Sequence, residues 1–238
     1  MELLTFESLF ALLTLSVMEI VLGIDNIVML SIMTNKLPHH QRNKGRKLGL
    51  TLAMMMRIGL LCSLSWVMSM TTPLFSLFNV DFTGRSFILL IGGAFLIAKA
   101  THEIHEQFDP HEKISQAKQK ISFISVLVQV AILDIIFSLD SVITAVGMVN
   151  NLLIMVAAII IAIMIMIYFS KYVSEFIEKN PSIKILALSF LILIGFMLII
   201  EGVGKHVDKG YIYFAIGFSL SVEMLNIRRQ NKVSRIAK

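Results

Sequence analysis

Charge is scarce in this chain: only 16% of its 238 residues are Asp, Glu, Lys or Arg, where ordinary soluble domains carry about 25%. That shortage excludes a soluble globule, because there is too little polar side chain to cover one. A hydrophobic content of 56% and a mean hydropathy of +0.81 point the same way. Cysteine is nearly absent. The single Cys62 rules out an intramolecular disulfide, and no redox compartment can be read from it. The opening "MELLTFESLF" has no basic n-region, so the first apolar segment reads as a retained helix, not a cleaved signal. No G-x-x-x-x-G-K-[ST] phosphate loop occurs, which argues against ATP-driven pumping by this chain. The fifteen methionines read as soft packing, not as metal ligands.

Long apolar runs are what the chain has instead. A helix needs about 20 apolar residues to cross about 30 Å of hydrocarbon, and seven runs approach or exceed that. They lie near 6–34, 48–70, 86–101, 121–149, 152–170, 183–200 and 211–227. The expected fold is therefore all-α: a polytopic membrane protein of seven transmembrane helices in a single domain over 1–238.

The loops set its orientation, since Lys and Arg collect on the cytoplasmic side. Of the 21 basic residues, 17 fall in alternate connections: 35–47, 99–120, 171–184 and the tail after Ile227. The opposite side holds Arg85, Lys205 and Lys209, and Arg57 lies inside a run. This places the N-terminus outside and the C-terminus in the cytoplasm. The net charge of +5 follows from topology and implies no nucleic-acid partner. The segment "THEIHEQFDPHEK" (101–113) reads as a solvated cytoplasmic loop; it is not HExxH and defines no ligand geometry.

Two acidic stretches match each other: "EIVLGIDN" (19–26) and "DIIFSLDS" (134–141), with Asn26 falling on Ser141. Downstream, "FILLIG" (87–92) resembles "FLILIG" (190–195). Two matches in the same order argue for a duplicated three-helix unit, about 6–103 and about 121–206, with a seventh helix at about 210–227. Three crossings is odd, so the second unit enters from the opposite side. An inverted 3+3 repeat of this kind places substrate sites near the midplane at the repeat interface.

Four acids then need an explanation: Glu19, Asp25, Asp134 and Asp140. Each costs roughly 2.5–3.5 kcal/mol at a helix centre. Arg57 is the one buried base available to pair with them, and it cannot neutralise four. A cation or proton site is the reading. Six residues of helix give about 9 Å of rise and about 240° of turn, so Glu19 and Asp25 share neither a face nor one ion on a straight helix. Glu19 shares a face with Asn26, and Asp134 with Ser141. A local unwinding near Gly23 and Ser138 would turn the second acids inward and free carbonyls as ligands. Carboxylate, amide and hydroxyl oxygens suit Mg²⁺, Ca²⁺ or Mn²⁺, whereas the lack of nearby Cys and His argues against Cu(I) or tight zinc.

These motifs, with Arg57, "GGAFLIAKATHE" in the third helix and "FSLSVEMLN" near the end, resemble the TerC family of integral membrane proteins. The resemblance covers essentially the whole chain and is to a short, TerC-only member without CBS domains. It implies a plan similar to that of small cation and amino-acid exporters with two three-helix repeats. It further implies a role in metal-ion homeostasis, with manganese as the transported ion, no permanently bound cofactor, and an inner-membrane location. By resemblance Glu19, Asp25, Asn26, Asp134, Asp140 and Ser141 would bind the ion, and Arg57 would pair with the acids. Lys99 and Glu223 stand as candidate pathway residues, and Glu201 as an interfacial helix end. Two other classes stay open. One is an intramembrane aspartyl enzyme, although neither aspartate sits in GxGD. The other is an accessory protein that serves the translocation machinery in metal loading of exported proteins.

Overall fold

The computed structural model describes residues 6–63, 68, 71–77, 80–108, 122–148, 151–205 and 207–236. Seven long helices occur among them: α1 (Phe6–Asn35), α2 (His39–Cys62), α3 (Gly84–Phe108), α4 (Phe123–Met148), α5 (Leu152–Lys179), α6 (Pro181–Gly202) and α7 (Lys209–Ile236). Local chemistry explains several ends. Asn151 caps α5, its side chain accepting from the Leu153 amide at 3.0 Å. Pro181 opens α6 at a position where its missing N–H costs nothing. Past the end of α6, Gly204 adopts φ 79°, a left-handed turn that glycine makes without strain.

Six of these helices are long and apolar enough to cross a membrane. The second, α2, has the length, at 24 residues, but its basic first half leaves it short of that apolarity. The expected span at 48–70 gives way to a helix that starts at His39 and ends at Cys62, so its first half is the basic stretch assigned above to a loop. That stretch is helical because Gly45, Arg46 and Gly49 form a buried edge. Gly45 packs near Thr34 and Leu37, and Gly49 near Leu30 and Val130. The connection from α1 thereby shrinks to residues 36–38. A second departure is α3, which runs on to Phe108 and makes 101–108 helix, not loop. A third is a short antiparallel hairpin, β1 (Pro73–Leu77) with β2 (Val80–Thr83), in a chain expected to be wholly helical. Its Phe75 and Phe82 rings stack at 5.3 Å.

The helices pack in pairs. α3 lies along α6, α1 along α5 and α2 along α4, with α2 also meeting α5 and α1 meeting α4. The α3–α6 crossing is antiparallel, since Gly93 approaches Gly195 while Ser86 approaches Gly202. A Cβ on Gly195 would stand 2.8 Å from the Gly93 carbonyl oxygen, and one on Gly93 would stand 2.4 Å from that of Gly195. Only paired glycines allow that approach. Outward faces are apolar too: Ile124, Val128, Ile132 and Ile135 form an exposed stripe on α4, as a surface in contact with lipid requires.

Candidate functional site

Where α1, α2 and α4 converge, the apolar core encloses three charged side chains. Glu19 is 3% exposed, Arg57 2% and Asp134 3%. The Arg57 guanidinium bridges the two carboxylates. Its Nη1 donates to Glu19 Oε2, and its Nε and Nη2 donate to Asp134 Oδ1 at 3.3 and 3.1 Å. Asn26 Nδ2 adds a third donor to that oxygen at 3.0 Å, and Ser138 Oγ donates to Asp134 Oδ2 at 3.0 Å. Ser141 is buried one turn on and donates to the Ser138 carbonyl at 3.2 Å. Removing one partner of such a buried pair leaves an uncompensated charge, at about 3–5 kcal/mol. With both acids ionised, the cluster carries one more negative than positive charge.

Beside it lies a cavity of about 20 Å³, lined by Asn26 and Asp134 with Met29, Leu30, Gly49 and Leu133 among its apolar walls. That is room for one water-sized particle. Two oxygen-bearing side chains and an apolar enclosure suit a small, hard cation better than an organic substrate.

The structure thus brings together Glu19, Asn26, Arg57 and Asp134, with Ser141 close by. The side chains of Asp25 and Asp140 lie outside the described residues. Their backbones belong to helices that continue unbroken through both motifs, so the expected unwinding at Gly23 and Ser138 does not occur. Gly23 serves packing instead: a Cβ there would meet Met166 Sδ at 2.3 Å. Ser138 spends its hydroxyl on Asp134. Among the described residues, no three His, Cys, Asp or Glu side chains are grouped to hold a metal ion.

Lys99 belongs to a different cluster. Its Nζ lies 3.0 Å from Glu103 Oε1, and Lys36 at the end of α1 reaches the same oxygen at 2.5 Å and Glu106 Oε2 at 2.8 Å. His102 Nε2 is 3.0 Å from Glu106 Oε1. Glu103 is wholly buried, so the segment read as solvated carries an interhelical ion-pair network. Burial pulls the Lys36 ammonium down, but Glu103 and Glu106 outweigh it and hold its pKa above the usual lysine value. Lys36 therefore stays charged throughout the physiological range. Sequence reasoning missed it, although Lys99–Glu103 and His102–Glu106 have the i,i+4 spacing of helical ion pairs. Glu223 is brought to neither cluster: it lies on peripheral α7 and accepts from Asn226 at 3.3 Å. Glu201 is buried and lies 3.7 Å from Arg85.

Six membrane-length helices around a buried charged cluster define a multi-pass integral membrane protein. The family model described as "Integral membrane protein TerC family" matches residues 4–237, and the chain belongs to that family. It is 53% identical over 223 residues to a "UPF0053 protein" of Haemophilus influenzae, covering 93% of this chain and 94% of that protein. It is 52% identical over 222 residues to "UPF0053 inner membrane protein YgdQ" of Escherichia coli, covering 93% of each. "UPF0053 inner membrane protein YoaE" of Escherichia coli is 50% identical over 234 residues, which are 97% of this chain and 45% of that one. No solved structure matches the chain.

Proposed function

We propose that this protein is a transporter, not an enzyme, and that it exports a hard divalent cation, manganese foremost, through a site between α1 and α4. The observation that carries the reading is the shared Arg57: two buried carboxylates, Glu19 and Asp134, lean on a single guanidinium. In a purely structural cluster the charges would balance. Here, with both acids ionised, one negative charge is left over beside a cavity of about 20 Å³, a surplus that a cation or a proton would neutralise. Arg57 acts as the resident counter-ion in the unloaded site. The cargo competes with it for Asp134, and Asn26 and Ser141 supply neutral oxygens. Asp25 and Asp140 complete the charge that a divalent ion needs.

An inverted repeat is the plan proposed for this site, and the packing supports it. Exchanging α1, α2 and α3 for α4, α5 and α6 turns the α1–α5 contact into α4–α2 and returns α3–α6 to itself. Asn26, next to Asp25, bonds Asp134, at the depth where an inverted copy sets the two motifs side by side. The first repeat of the single domain is then α1–α3 and the second α4–α6, with α7 appended. The N-terminus faces outward and the C-terminus inward. Protons replace the ion on the carboxylates after release, so an inward proton gradient drives export.

Flux from proteoliposomes tests this. Protein loaded with Mn²⁺, Mg²⁺ or Ca²⁺ in turn and given an acidic outside should release Mn²⁺ faster than it does without the gradient. Asp25→Ala and Asp140→Ala should each abolish release while membrane abundance stays normal. Wild-type flux from either variant sinks the proposal.

A further inference from the structure

α7 leans on the bundle chiefly through α6, and among its described residues only Ile212 is buried. Between α7 and helices α1, α5 and α6 lies a crevice of about 400 Å³, within the roughly 300–1,000 Å³ range of small-molecule pockets. Its walls include Val28, Phe176, Ala187, Phe190 and Leu220, and the Tyr172 hydroxyl is the only polar side-chain group among the lining residues. Such a surface holds hydrocarbon, not water.

Extent and charge narrow the occupant. Along α6 the lining runs from Ile183 to Leu191, about 12 Å of helix, close to half of a bilayer core about 30 Å thick. The crevice therefore has the depth of one leaflet. Its end at Ile177 and Ile183 meets the α5–α6 turn, where Lys179 and Lys184 stand beside the lining residues. Among the described residues that end gathers Arg42, Lys171, Lys179 and Lys184 against Glu175 and Glu178, with Arg42 2.6 Å from Glu178 and Lys171 3.8 Å from Glu175. Its net charge is positive. A second copy of the chain would have to slide a whole helix, about 10 Å across, beneath α7.

We propose that the crevice binds an acyl chain of an anionic phospholipid from the leaflet on the basic side. Lys179 and Lys184 hold its phosphate, and the lipid completes the contact of α7 with the bundle. The site is independent of the ion cluster.

Native mass spectrometry of the full-length protein, delipidated and reloaded with phosphatidylglycerol or phosphatidylcholine of matched chains, reads this directly. One phosphatidylglycerol per chain should survive activation that strips phosphatidylcholine. Ala187→Trp fills the crevice and should remove that retention. K179Q/K184Q leaves the crevice intact and should lower the preference for phosphatidylglycerol by about tenfold, because each basic residue near a surface attracts anionic lipid. If Ala187→Trp does not fold, the rim variant decides alone. Equal retention of both lipids by wild type, retention unchanged in Ala187→Trp, or a preference unchanged in K179Q/K184Q overturns the proposal.

Discussion

Asp134 and Glu19 occupy matching places in their motifs but are held differently. Asp134 accepts on both oxygens, from Arg57, Asn26 and Ser138, whereas Glu19 is held by Arg57. Arg57 is therefore the residue on which the cluster turns. Arg57→Ala would leave two buried carboxylates facing each other, a loss of about 3–5 kcal/mol, and the folded yield in detergent should fall sharply. Arg57→Lys keeps the charge but not the planar fork that reaches two acids at once. It should restore much of the yield and raise the midpoint of thermal unfolding above that of the alanine variant. An alanine variant as stable as wild type would remove Arg57 from any central role. At this scale Glu19, Arg57 and Asp134 were legible because charge inside an apolar run has so few explanations. Ser138 was noticed only as the residue opposite Gly23, since a lone serine in a helix gives no sign of what it bonds. Glu103 was misread for a related reason: its partner Lys36 is 67 residues away, and no local pattern predicts that meeting.

Helix existence was legible throughout, because apolar length and composition decide it. Helix ends were not. α2 and α3 extend well beyond their apolar segments because their polar ends bury one edge each against neighbours, through Gly45 and Gly49 in α2 and Glu103 and Glu106 in α3. Hydropathy averages such an edge away. Glycines show the same limit. The repeat match aligns Gly92 with Gly195 as equivalents but says nothing of contacts: across the α3–α6 crossing it is Gly93 that faces Gly195, while Gly92 packs on Ile136. Gly195→Leu should therefore prise α3 from α6 and lower the thermal midpoint by several degrees. Gly59→Ala provides the contrast: nothing lies within 4 Å of its would-be Cβ, and removing glycine from a helix interior stabilises by about 0.4–1 kcal/mol. Thermal unfolding of both variants in the same detergent would show opposite shifts, and parallel shifts would contradict the assigned packing.

On the side where basic residues gather, the helices are tied together by polar contacts. Lys36 holds Glu103 and Glu106 of α3, Arg42 holds Glu178 of α5, and Arg46 reaches Ser174, which in turn bonds Asn35. A transporter closed by these ties at its basic end would deliver cargo toward the other end, so orientation decides direction. The chain carries its own reporter. Cys62 is exposed at the last residue of α2, and that helix of 24 residues spans about 36 Å from the basic side. If the basic side is cytoplasmic, as proposed from the excess of Lys and Arg, Cys62 lies at or near the outer surface. A membrane-impermeant maleimide should then label it in intact cells. A cysteine placed at Lys232 in a Cys62→Ala background should react only after permeabilisation, because α7 carries that residue back to the basic side. The reverse pattern would invert the molecule, put the tied end outside and turn proposed export into uptake.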